Sequence, residues 1–241
     1  MKTIIYFTTI LLLFNSLTFS QSVLTYQTGT SLEVQTGASV CADSVIMNGT
    51  FTGGGTLCGL LYTLNLTACI EGFYDLSTDL MVSDIITVQL RDAIYPYPIV
   101  ESTNAVLDQS GNGAFTFSNV NNGTSYYIVL KHRNSIETWS SSTQMFTGSS
   151  LNYDFAAAVT QAFGNNMKQV DASPVRFAVY SGDVNQDGIV DASDVSTVDN
   201  DAFNSLSGYV TSDLNGDDFV DASDLGIVDN NALNAVSVIT P

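Results

Sequence analysis

Asp183-Val184-Asn185-Gln186-Asp187-Gly188-Ile189-Val190-Asp191-Ala192-Ser193-Asp194 recurs thirty positions later as Asp213-Leu214-Asn215-Gly216-Asp217-Asp218-Phe219-Val220-Asp221-Ala222-Ser223-Asp224. Side chains bearing oxygen fall at positions 1, 3, 5, 9 and 12 of each copy. They are Asp183, Asn185, Asp187, Asp191 and Asp194 in the first, and Asp213, Asn215, Asp217, Asp221 and Asp224 in the second. Carboxylates and amides at alternate positions let a short loop wrap a small, hard cation. Calcium takes six to eight such oxygens at roughly 2.3–2.6 Å. The residue at position 7, Ile189 or Phe219, would add its backbone carbonyl and turn its side chain inward. The expectation is two Ca2+ ions, one per loop.

The spacing is that of an EF-hand calcium loop. Similarity continues past each loop: 13 of the 22 positions in 183–204 are identical to their counterparts in 213–234. Val195, Val198 and Ala202 then sit at helical spacing with Phe203 beside them. Leu225, Val228, Ala232 and Leu233 repeat the stripe. Before the first loop, Arg176-Phe177-Ala178-Val179-Tyr180 reads as a strand, not as an entering helix. Each unit is therefore loop-then-helix. Val190 and Val220, at position 8, are expected to pair across the two loops. Two such units of about 60 residues, each loop ending in Asp, resemble a type I dockerin domain over residues 182–237. The resemblance implies calcium-dependent attachment to a cohesin-type protein domain, in the setting of polysaccharide-degrading assemblies. It also implies that Ser193 and Ser223, at the starts of the two helices, lie where a partner makes contact. The helices depart from the dockerin pattern in carrying Asp199-Asn200-Asp201 and Asp229-Asn230-Asn231 with no Lys or Arg. Asp218 stands at position 6, where the sharp turn favours glycine. Backbone strain there is expected to make the second loop the weaker site.

The net charge of the chain is −18, from 24 acidic and 6 basic residues. Twelve of the acidic residues lie in 181–241, which has no Lys or Arg. That density calls for a counter-cation and argues against a nucleic-acid partner. At the other end, Lys2 followed by an apolar run from Ile4 to Phe14 and small residues before Gln21 reads as a secretory signal peptide over 1–20. The run is too short for a membrane span. The chain is therefore expected to be secreted, extracellular or at a cell surface, with no membrane span. Export permits a disulfide. Cys41 and Cys58 flank a Gly-rich, hairpin-like stretch and are the expected pair, with Cys69 a buried thiol.

Residues 21–63, rich in Thr, Ser and Gly, are compatible with the end of a β-solenoid, a hairpin or a loosely ordered arm. From residue 64 strands are expected at 64–74, 85–91, 99–107, 114–117, 125–132, 135–139, 150–155 and 176–180, separated by turn clusters. Short alternating strands point to an antiparallel β-sandwich over 64–180. Residues 86–130 resemble the carboxypeptidase-regulatory or prealbumin-like sandwiches, through Val88-Gln89-Leu90-Arg91, Gly113-Ala114-Phe115-Thr116-Phe117-Ser118-Asn119-Val120 and Gly123-Thr124-Ser125-Tyr126-Tyr127. The fold class is thus mainly β with a small α C-terminal module over 181–241. No catalytic residue is assigned. His132, the single histidine, lies on a strand without a nucleophile motif, and no carboxylate pair stands out for glycoside hydrolysis. The reading is a non-catalytic, calcium-dependent attachment protein. The alternative is a carbohydrate-binding or adhesion module, with polysaccharide as ligand and calcium purely structural. Trp139 is the one indole that could stack on a sugar.

Overall fold

The structure is a computed structural model that describes residues 23–54 and 56–241. The signal peptide expected over 1–20 lies outside the described residues. The first described strands are β1 (Val23–Tyr26), β2 (Ser31–Glu33), β3 (Ser39–Met47), β4 (Thr50–Thr52) and β5 (Thr56–Leu60). They pair only in parallel, β1 and β5 on either side of β3 and β2 on β4. A chain that returns to lie parallel beside itself twice forms a coil, so of the three readings the solenoid holds. Val34 and Val45 fill its interior. Gly53 makes the tight return, with φ 101°, and any Cβ there would meet the Val34 carbonyl. Cys41 and Cys58 are opposite partners on β3 and β5 and form the disulfide, S–S 2.00 Å. The expected pair is right, but it staples successive coils instead of closing a hairpin.

The sandwich follows: β6 (Tyr62–Thr67), β7 (Tyr74–Asp75), β8 (Leu80–Met81), β9 (Asp84–Asp92), β10 (Ile99–Leu107), β11 (Asn112–Phe117), β12 (Ser125–His132), β13 (Ser135–Trp139), β14 (Gln144–Met145) and β15 (Ser150–Asp154). One sheet has the order β10-β9-β12-β13, with β14 also on β12. The other is β11-β6-β15. Alternation delivers one face of each strand to the core. Leu64 and Leu66, Ile86, Val88 and Leu90, Phe115 and Phe117, and Ile128 and Leu130 are all buried there. Three expectations change. The strand expected at 64–74 stops at Thr67 and turns through a 3₁₀ segment, Glu71–Phe73, that buries Phe73 under the C-terminal residues. The sandwich is not wholly antiparallel, because β15 runs parallel to β6. A polar strand that was not expected, β16 (Lys168–Ala172), pairs with β17 (Val175–Ala178).

Two helices close the chain, α1 (Ala192–Phe203) and α2 (Ala222–Leu233). Each begins with a capping box, Asp191 with Asp194 and Asp221 with Asp224. Each ends with a left-handed residue, Ser205 or Ala235. The bonds Leu206 N–H to Asp201 O and Val236 N–H to Asn231 O complete a Schellman turn. The protein is therefore mainly β with a small helical C-terminal part. Among the described residues no helix is long and apolar enough to cross a membrane. One apolar cluster runs through both parts: Val184, Val190, Val198, Leu214, Val220 and Val228 are continuous with Phe73, Ile136 and Val179.

Candidate cation loops and their platform

The two duplicated loops share most of one hydrogen-bond pattern, departing at position 1 Oδ1, which accepts from Asp187 N–H in loop one and from Gly216 N–H in loop two. At position 12, Asp194 Oδ1 accepts from Val184 N–H at 2.9 Å and Asp224 Oδ1 from Leu214 N–H at 2.7 Å. The other oxygen of each accepts from the position 9 N–H, Asp191 at 3.0 Å and Asp221 at 2.9 Å. At position 1, Asp183 Oδ2 accepts from Gly188 N–H at 3.1 Å and Asp213 Oδ2 from Asp218 N–H at 3.3 Å. Asn185 and Asn215 accept from the N–H of Asp187 and Asp217, which accept in turn from Ile189 and Phe219. Positions 1, 3, 5 and 12 of each loop are thus drawn around one turn of backbone. Asp191 and Asp221 stand at its rim as helix N-caps, bonded to the N–H of Ser193 and Ser223.

Three details differ from the sequence expectation. Val190 and Val220 do not pair with each other. Val190 N–H donates to Val236 O at 2.8 Å and Val220 N–H to Leu206 O at 3.0 Å. Each loop is closed by the segment that follows the other unit's helix, and Ile189 bridges Ser237 while Phe219 bridges Ser207. The exchange follows from the helix ends: each Schellman turn aims its outgoing chain back along the partner loop. Second, the position 7 side chains point outward, with Ile189 50% and Phe219 63% exposed, and the bridges use the groups on either side of them, Val190 N–H and Gly188 O in loop one and Val220 N–H and Asp218 O in loop two. Third, both loops have two left-handed residues. In loop one they are Gln186 (φ 60°) and Gly188 (φ 90°), and in loop two Gly216 (φ 76°) and Asp218 (φ 67°). Each loop pays for one non-glycine, and Asp tolerates this region better than Gln. Strain therefore does not rank the second loop as the weaker.

The loops sit in an environment hostile to bare carboxylates. Asp194 and Asp224 are fully buried, and Asp183 and Asp213 nearly so. Burial pushes the Asp183 carboxyl up to about 6; the Gly188 N–H opposes the shift, while the neighbouring charges of Asp194 and Asp187 add to it. Burial also raises Asp224, against three backbone N–H groups. Among the described residues no three His, Cys, Asp or Glu side chains stand close enough to form a ready cation cage. The carboxylates spread onto backbone donors, as repelling anions do. The donor set fits a hard cation: each loop offers carboxylates and one amide oxygen, all oxygen and no thiol or imidazole, and at position 12 the oxygen bonded to the position 9 N–H accepts only that one bond.

The back of both loops rests on the sandwich through polar groups. Asp84 accepts from His132 Nε2 at 3.1 Å, Arg133 Nε at 3.1 Å and the Tyr209 hydroxyl at 2.7 Å. Arg133 also donates to the carbonyls of Val210 and Asp213, pairs with the Asp213 carboxylate at 3.5 Å, and lies 4.3 Å from the Tyr209 ring centre. Asn134 Nδ2 donates to Asp213 O at 2.7 Å, and Gln186 Nε2 donates to Ser135 O at 3.2 Å. On the other side Glu71 holds Lys168, Ser181 N–H and Asn231 Nδ2. Burial raises Asp84, but its hydrogen bonds from His132, Tyr209 and Ile85 N–H together outweigh it and hold the carboxyl well below its usual range. Burial lowers His132, and the Asp84 carboxylate does not restore it. A carboxylate only accepts, so the neutral ring carries its proton on Nε2, and Nδ1 accepts from Ser135 Oγ at 3.1 Å. Ser135, His132 and Asp84 thus stand in the bonding order of a hydrolase triad. Ser135 is sealed at 1% exposure, and the cavity beside His132 is about 10 Å³. No substrate reaches that hydroxyl, and the three side chains serve to join the two parts. The sequence reading missed Asp84 and Tyr209 in this junction, 125 residues apart, because no local pattern links them.

No protein-family model matches the chain, and no curated protein matches it. Two solved structures are similar to the chain. One is a C-terminal interface mutant of a type II cohesin–X–dockerin complex from Acetivibrio cellulolyticus, at 17% identity and a TM-score of 0.45. The other is the N-terminal interface mutant of the same complex, at 16% identity and 0.41. In both cases 70% of this chain and 94% of the matched chain are covered.

Proposed function

We propose that this is a secreted, non-catalytic attachment protein. Its two C-terminal loops bind one Ca2+ each, and its helical face then docks on a cohesin-type protein domain. The reading is carried by one observation, the repetition at both loops of the bonds that position 1 Oδ2 and the position 3, 5 and 12 side-chain oxygens accept. Simple acidic turns would have no reason to copy it. In loop one Asp183, Asn185, Asp187 and Asp194 would supply side-chain oxygens and Ile189 its carbonyl, with Asp191 at the rim. Asp213, Asn215, Asp217, Asp224, Phe219 and Asp221 would do so in loop two. A doubly charged cation would relieve the repulsion that burial now imposes on these carboxylates. The resulting rigid loops would fix α1 and α2, which expose Phe203 and Leu233, at equivalent positions, to 88% and 87%, and expose Ser193 and Ser223 at their starts. The type II cohesin named in the two similar structures sets the first partner to try. Calorimetry on the full chain should count two calcium ions, falling to one in Asp194→Ala and in Asp224→Ala. A cohesin domain should be captured in calcium and released by EDTA. No heat of calcium binding, or a stoichiometry unchanged by both variants, refutes the reading.

A further inference from the structure

A second candidate site lies on the outer face of the β11-β6-β15 sheet, away from the loops. It is an open cleft of about 590 Å³, within the size range of small-ligand sites. The register sets its lining in two rows. Asn112, Thr67 and Asp154 lie side by side in one, and Ala114, Asn65 and Asn152 in the next. Asn65 Nδ2 donates to Asn152 Oδ1 at 2.9 Å, and Thr67 Oγ1 donates to Asn112 Oδ1 at 2.8 Å. Each pair spends one polar atom on its neighbour. The Asn65 carbonyl oxygen and the amide nitrogens of Asn112 and Asn152 remain directed to the cleft's solvent.

Folding alone does not ask for these residues. Asn and Asp are depleted in strands, because their side chains compete with the backbone ladder. Yet three Asn and one Asp share this face, one of them on the central strand. A merely solvated face is served as well by Thr, Lys or Glu, and this one has no Lys or Arg at all. Ala114 keeps the floor low between the taller amides. The chemistry selects one class of ligand. Amides that offer donors and acceptors side by side match vicinal hydroxyls, which both donate and accept. The absent cations, the carboxylates of Asp108 and Asp154 at one end and the net charge of −18 repel anions.

We infer that this cleft binds a segment of a neutral polysaccharide through its Asn65, Asn112 and Asn152 amides. The test is affinity electrophoresis of the full chain, with calcium present. The gels contain hydroxyethylcellulose, arabinoxylan or galactomannan, with polygalacturonate as the anionic probe. At least one neutral polymer should retard the protein and polygalacturonate should not. The Asn65→Ala/Asn152→Ala double variant and, separately, Ala114→Trp, which fills the floor, should each weaken retardation at least about tenfold with an unchanged melting temperature. Should the double variant fail to fold, Ala114→Trp alone decides. The inference is overturned if none of the three neutral polymers retards the protein, if polygalacturonate alone does so, or if retardation survives Ala114→Trp. Calcium stoichiometry is indifferent to these variants, so this result and that of the calcium titration are read separately.

Discussion

Ser205 and Ala235 hold the left-handed turn after each helix with φ 53° and 50°, a conformation that costs an L-residue on the order of 1 kcal/mol relative to glycine. Replacing either by glycine should stabilise the protein by roughly 0.5–1 kcal/mol, read as a shift in the urea midpoint at constant slope. Asp218→Gly should act in the same direction and tighten loop two, because Asp218 N–H already makes the required bond and glycine only removes the strain. Gln186→Gly is different: Gln186 Nε2 bonds both Ser135 O and Asp183 O, so the relief of strain is offset by two lost hydrogen bonds. Calorimetry that found Asp218→Gly without effect on loop two would remove backbone strain as a determinant of affinity. This balance was half legible from the sequence. Glycine at position 6 advertises a turn, but position 4 does not betray its left-handed backbone when it is a glutamine.

Among the elements, the helices were readable because their signals are local: an Asp cap, a four-residue apolar stripe, a polar exit. The cap and the proposed ligand role can be separated experimentally. Asp191→Ala removes an N-cap as well as a rim oxygen and should already cost about 1 kcal/mol in EDTA, whereas Asp183→Ala should cost most in calcium. Equal penalties for Asp183→Ala in both conditions would mean that the carboxylate is structural only. The strand pairings were harder to read. A period of two is the same for parallel and antiparallel neighbours, so the coil of β1 to β5 and the parallel β15 could not be told from hairpins. Strand β16, Lys168-Gln169-Val170-Asp171-Ala172, has almost no apolar content to announce it. The cross-closure of the loops was invisible because Val190 and Val236 are brought together only by two successive helix turns. It makes an asymmetric prediction. Truncation after Ala235 removes the partner of loop one (Val236 O to Val190, and Val238 N–H to Gly188 O) but leaves Leu206 and Gly208 on loop two. Calcium stoichiometry in the truncated chain should fall to one, and the surviving ion should be the one lost in Asp224→Ala.

At the scale of the whole molecule, the sandwich and the helical part unfold together if their shared core and polar junction are as continuous as they stand. Gly72 is the sharpest probe, since any Cβ on it would run into the Leu214 carbonyl of loop two. Gly72→Ala should destabilise by roughly 1–3 kcal/mol and weaken loop two more than loop one, although residue 72 is no candidate ligand. The junction also sets a pH dependence with a definite sign. His132 is the only histidine, and burial holds its folded pKa below the ordinary value. The unfolded chain therefore binds the proton first as pH falls. Stability contributed by the neutral ring is complete above about 6.5 and declines below it, by at most about 1.4 kcal/mol per pH unit until the folded ring titrates. Asp84 adds nothing in that window: its folded pKa is depressed, so its contribution is present above about 3.9 and is lost only as pH falls further. Urea unfolding at pH 7.5, 6.5 and 5.5 in excess calcium should show the decline, and His132→Asn should flatten it. The variant should start from a lower stability, because Asp84 and Ser135 lose their bonds to the ring. Asp183, raised to about 6 by burial, works in the opposite sense in this window, so the difference from His132→Asn isolates the ring: if that difference grows as pH falls, the ring is protonated in the fold, and the junction is an ion pair of His132 with Asp84 instead of a neutral hydrogen bond.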